Sequence, residues 1–164
     1  MKRLLYLITP LLIFTLLFSA CSPTEEDNFK NTLSYFQIDF IKSDFETAES
    51  TSDKADYVRA YRVSVTDKER KKLIEHFKSF ENGEFVKIPN AQNNFDILSG
   101  VLMEDFGSYK AVSEGYFALY NTISDKLQTK LDSSTLANFD FDFYVALIFD
   151  VDTNTLYIYK YSAT

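Results

Sequence analysis

Phe139, Phe141, Phe143, Val145, Leu147 and Phe149 recur at every second position with no polar residue among them. A period of two sustained over such a run predicts an extended strand. The intervening residues, Asp140, Asp142, Tyr144, Ala146, Ile148 and Asp150, are polar at both ends and apolar in the middle. That is the pattern of a central strand covered on both sides. After Asp150-Val151-Asp152-Thr153-Asn154, the segment from Thr155 to Tyr161 alternates again, so the two strands read as a hairpin on which the core is built. The 16 Phe and 11 Tyr support a sheet-rich fold, because aromatic rings fill half-buried pleated surfaces well.

The rest of the chain is read against that hairpin. Phe36, Ile38 and Phe40 alternate with Gln37 and Asp39, which predicts helical turns from Phe29 followed by a strand. Asp44 to Asp56 is rich in Ser, Thr and acids and reads as a long loop. Tyr57 to Val65 alternates as a strand. Thr66-Asp67-Lys68-Glu69 then has the Thr-x-x-Glu form of a capping box. A helix follows, with Leu73, Ile74, Phe77 and Phe80 as its stripe and Asn82-Gly83 as its end. Glu84 to Ile88 reads as a short strand before Pro89, and Phe95 to Met103 and Tyr109 to Val112 as two more. Val112, Tyr116, Tyr120, Ile123, Leu127 and Leu131 are spaced by three or four, which predicts a second helix. The sum is a single α+β domain: an antiparallel sheet with two helices packed on one face.

The amino terminus has a different character. Lys2 and Arg3 precede an apolar run from Leu4 to Phe18, interrupted by Pro10, and Ser19-Ala20-Cys21 closes it. This is the charged and apolar layout of a secretory signal. The small residues leading directly into the only cysteine resemble the lipobox of bacterial lipoproteins, with Phe18 where the family more often has an aliphatic residue. The resemblance covers residues 1–21. It implies removal of residues 1–20 and a diacylated Cys21 as the first mature residue. Two acyl chains, at roughly 0.8 kcal/mol per buried methylene, anchor a protein stably in a lipid bilayer. Residues 21–28 then form the acylated cysteine and a tether, and residues 29–164 the globular domain. An extended chain from Cys21 to Phe29 reaches at most roughly 28 Å, which keeps the body near the bilayer.

The resemblance places the protein in the bacterial cell envelope. In a diderm host, Ser22 after the acylated residue points to the outer membrane, facing the periplasm. The acidic trio Glu25-Glu26-Asp27 resembles the export signal of some surface lipoproteins, but an ordinary solvated linker is the preferred reading. Without the leader's Lys2 and Arg3, the 17 basic residues fall to 15 against 24 acids, a net charge of −9. Phosphate backbones repel such a body, so no nucleic acid is expected as a partner. A basic protein is the more natural one, although the charge also serves solubility.

Motifs for chemistry are sparse. Asp150-x-Asp152-x-Asn154 has the opening spacing of a calcium loop, but Thr155 and Tyr161 stand where an EF-hand has glycine and glutamate. A hairpin turn is the preferred reading, with no metal and no cofactor expected. His76 is the only histidine, and no neighbouring pattern supplies a nucleophile or an orienting acid. Glu104-Asp105 and Asp140/Asp142 are the paired acids that a carboxylate hydrolase would use. Tyr157, Tyr159 and Tyr161 share one face of the last strand, with Lys160 opposite. They form a binding row if that strand is an edge, and core if it is not. The function expected is a membrane-anchored, non-enzymatic binding module, of which an inhibitor or immunity-type protein is one form. The alternative is an envelope hydrolase using paired carboxylates.

Overall fold

The computed structural model describes residues 23–51, 57–80, 84–89, 112–128 and 143–162. The chain divides into two compact units, residues 1–31 and 32–164. Thr24 caps a helix, α1 (Glu25–Ser34), which begins in the first unit and ends in the second. The Asp27 amide donates to Thr24 Oγ1 at 3.1 Å and the Thr24 amide donates back to Asp27 Oδ2 at 3.0 Å. The expected tether therefore ends in helix from Glu25 onward. The acidic trio occupies the first turn, where negative charge complements the positive end of the helix dipole.

In the second unit the described elements are β1 (Phe45–Thr51), β2 (Tyr57–Ser64), α2 (Asp67–Lys78), β3 (Val86–Ile88), β4 (Gly115–Asn121), β5 (Lys126–Leu127), β6 (Phe143–Asp150) and β7 (Thr155–Ser162). All seven strands belong to one antiparallel sheet of order β1-β2-β7-β6-β4-β3, with β5 added to β4. The predicted hairpin is β6–β7, with Phe149 opposite Leu156 and Leu147 opposite Ile158. The α+β architecture is as expected. One of its two helices is not.

Register sorts the side chains into two faces. One carries Tyr116, Phe149, Leu156 and Val63 in one row, and Ala118, Leu147, Ile158 and Tyr61 in the next. Helix α2 packs here, its Phe77 ring 5.0 Å from Tyr116 and 5.9 Å from Phe149. The turn after α1 sets Tyr35 on the same face, 4.6 Å from Tyr120. The opposite face gathers Ala60, Phe117, Leu119, Ala146 and Ile148, all fully buried. Each large apolar side chain buried in this way stabilises the fold by roughly 1.5–3 kcal/mol.

Four expectations are corrected. The predicted helix over Val112–Leu131 is strand β4 in its first half. Tyr116 to Tyr120 is apolar at every position and buried on both faces, so the run satisfies helical spacing by accident. Gly115 fits the strand for a local reason: a Cβ there would lie 2.1 Å from the Phe149 carbonyl oxygen. The predicted loop over Asp44–Asp56 contains β1, whose polar residues suit a strand at the border of the described sheet. Residues 38–42 are not a strand. Gln37 turns the chain with φ 57°, and Ile38 and Ile41 are buried without sheet pairing. Helix α2 ends at the Ser79 cap, before Asn82-Gly83. The strands read at Phe95–Met103 and most of Tyr109–Val112 lie outside the described residues.

Candidate functional site

Among the described residues, two clefts on the second unit are lined by acidic side chains. The first begins with the capping box at the start of α2. Thr66 is extended, and its hydroxyl accepts from the Glu69 amide at 3.3 Å. The Glu69 carboxylate returns to accept the Thr66 amide at 2.9 Å and the Thr66 hydroxyl at 2.7 Å. It also reaches a segment far away in sequence. The Lys42 amide donates to Glu69 Oε1 at 2.6 Å, the Ser43 amide at 3.1 Å, and the Ser43 hydroxyl donates to Oε2.

Burial of Glu69 disfavours its charge, but the hydrogen bonds from Lys42, Ser43 and Thr66 outweigh that and hold its pKa down to about 2. It remains a carboxylate at neutral pH. Above it lies a cleft of about 380 Å³, lined by Lys42, Lys68, Lys72, Phe40 and the two hydroxyl residues. Lys68 and Lys72 are one helical turn apart on α2, and all three lysines are exposed. None of them forms an ion pair among the described residues. The Lys72 ammonium sits 5.3 Å from the Phe40 ring centroid, a cation–π contact.

The second cleft, of about 560 Å³, lies beside Tyr120 and is lined by Tyr35, Phe80, Glu84, Asp125 and Lys126 among others. The Tyr120 hydroxyl donates to Asp125 Oδ1. Burial first, and then the Asp125 carboxylate as acceptor and neighbouring charge, push the phenol up to about 12. One carboxylate oxygen of Glu84 is buried with no hydrogen-bond partner. Among the described residues fewer donors meet Asp125 and Glu84 than meet Glu69.

The tyrosine row is not at an edge. Strand β7 lies between β2 and β6, both its backbone sides are paired, and Tyr157 and Tyr159 are buried in the face opposite α2. Tyr161 is half-buried and stacks on Tyr144, with ring centroids 5.4 Å apart. The condition for strand addition at Tyr157, Tyr159 and Tyr161 is therefore not met.

Asp150 Oδ1 accepts from the amides of Asp152, at 3.0 Å, and Thr153, at 3.3 Å, and Asn154 takes φ 55°. These are the bonds of a tight turn made by its own side chains. Among the described residues no group of three His, Cys, Asp or Glu is placed to hold a metal ion.

His76 Nε2 lies 2.8 Å from the Phe36 carbonyl oxygen, which can only accept, so this nitrogen carries the proton. Its ring is surrounded by Phe40, Phe77, Phe80 and Phe85, with centroids 5.0 to 6.1 Å away. Its partners are a backbone carbonyl and apolar rings. Cys21, Glu104, Asp105, Asp140 and Asp142 lie outside the described residues.

Sequence reasoning found the capping box and missed both clefts. The only signal for the first was the basic run of α2, where Lys68, Arg70, Lys71 and Lys72 interrupt an acidic chain. No described helix is long and apolar enough to cross a membrane. Neither protein-family models, nor curated proteins, nor solved structures match the chain.

Proposed function

We propose that this chain is a lipid-anchored binding module of the bacterial envelope that engages a basic protein partner without catalysing a reaction. Anchoring rests on the lipobox-like Ser19-Ala20-Cys21. The observation that carries the binding reading is the cleft beside Tyr120. Glu84 and Asp125 line it, and a Glu84 oxygen is buried without a partner. A lysine or arginine side chain from a partner pairs with the acids that line the cleft, and its charge offsets the cost of the buried Glu84 oxygen. Tyr35 and Tyr120 supply aromatic walls of the kind enriched at interfaces. The net charge of −9 after residue 20 steers a cationic partner toward this body. An inhibitor or immunity-type protein is the form of such a module that best suits a small, anchored, acidic domain.

Two experiments test this reading. The anchored full chain is used as bait in the cell envelope, expected to retain a basic protein that high salt releases and that Glu84→Gln with Asp125→Asn no longer holds. The Cys21→Ser variant is expected to lose radiolabelled palmitate and to leave the membrane fraction; an unchanged distribution would refute acylation. The second reading, an envelope hydrolase using paired carboxylates, rests on the same two acids lining one cleft. Turnover of a cell-wall glycan that Glu84→Gln abolishes, with no basic partner recovered, would replace the first reading by this one.

A further inference from the structure

We propose that the cleft over Glu69 is a binding site for a phosphate group carried on an apolar body, with Lys42, Lys68 and Lys72 as its ligands. It is separate from the partner cleft and does not depend on that reading. Three observations carry it. First, the three ammonium groups line one cleft and are balanced by no ion pair among the described residues, in a chain of net charge −7. Like charges gathered in this way repel each other until an anion joins them.

Second, the one acid in the cleft does not compete for the lysines. Both Glu69 oxygens are occupied by the amides and hydroxyls of residues 42, 43 and 66. The same bonds fix the backbone at Lys42 against the start of α2, so the cleft is organised before any ligand arrives. The Ser43 and Thr66 hydroxyls already donate to Glu69, which leaves the ammonium groups as the free donors.

Third, the lining selects among anions. It contains no arginine, whose planar fork favours a flat carboxylate; three lysine point charges suit a tetrahedral group bearing up to two charges. Phe40 contributes a half-buried ring face beside Lys72, so the favoured ligand places an apolar or aromatic group next to its phosphate. A soluble phosphomonoester and a phospholipid headgroup share this chemistry.

The test uses the full chain in dodecyl maltoside micelles, with lysine acetylation rates read residue by residue by mass spectrometry. Phenyl phosphate is expected to slow acetylation of Lys42, Lys68 and Lys72 severalfold while leaving the exposed Lys87 unchanged. If protection appears instead when phosphatidylglycerol is added to the micelles, the phosphate comes from a headgroup and the site stands. Lys68→Gln with Lys72→Gln is expected to weaken phenyl phosphate binding by roughly tenfold or more, with the unfolding temperature retained. Phe40→Ala is expected to weaken phenyl phosphate and leave inorganic phosphate unchanged. Equal protection of all surface lysines, or none from either phosphate source, would overturn the proposal.

Discussion

The cleft over Glu69 and the cleft beside Tyr120 are both built around carboxylates, yet they present opposite charge. In the first, Glu69 is buried and every lone pair facing the chain is met by an amide or hydroxyl, so the lysines at the rim set the field. In the second, Asp125 is at the surface, and Glu84 keeps a buried oxygen without a donor, so the acids set it. An acidic residue makes its surroundings negative only when the chain leaves its charge unspent. Counting charges along the sequence does not reveal this; hydrogen-bond partners do.

Strand β4 supports helix α2, which carries Lys68, Glu69 and Lys72 of the first cleft, through Tyr116 against Phe77, and it lines the second cleft with Tyr120. Gly115→Ala therefore damages them together. Its Cβ would meet the Phe149 oxygen at 2.1 Å, and the expected loss is about 3 kcal/mol or more, read as a drop in the urea midpoint. Glu69→Ala separates the clefts: about 2–3 kcal/mol is lost as the amides of Lys42, Ser43 and Thr66 lose their charged acceptor. The alkaline titration of Tyr120 is expected to stay as in the parent. If that titration also shifts, the two sites are coupled and the comparison fails.

pH sharpens the contrast further. The folded pKa of Glu69 lies below its ordinary value, so its contribution is complete above about pH 4.5 and is lost as pH falls through about 2. Glu69→Gln should flatten the acid limb of a stability-versus-pH curve. Tyr120 is shifted the other way. Its contribution is complete below pH 10 and is lost as pH rises through about 12. Tyr120→Phe should cost about 1 kcal/mol at neutral pH and remove one late-titrating phenol from the absorbance near 295 nm. The smallest effect is expected at Arg62→Gln, which breaks the exposed pair with Glu46 on β1 and β2. It should shift stability by less than about 1 kcal/mol and leave both clefts intact.

Much of the architecture is legible in the linear order of residues. The β6–β7 hairpin, strand β2 and the Thr66–Glu69 box are local patterns, and local patterns survive in sequence. Strand β4 was hidden because burial on both faces erases the alternation that marks a strand, leaving Tyr116 and Tyr120 at helical spacing. Strand β1 was hidden by its own polarity: Glu46 is largely solvent-exposed and paired to Arg62. The start of α1 reads as tether in the sequence, because the box Thr24-x-x-Asp27 is closed by aspartate instead of the usual glutamate. The Glu69 cleft was not legible, because Lys42 and Glu69 are 27 residues apart and meet only after folding.

The place of β7 in the sheet has a consequence for the order of assembly. It follows both β2 and β6 in sequence, yet among the described strands it is the sole link between them. Until it is in place, the described strands that precede it pair only as two separate fragments, β1-β2 and β6-β4-β3 with β5 added to β4. Joining of the described sheet therefore waits on β7, whose pairings with β2 and β6 include contacts distant in sequence, the kind that form slowly.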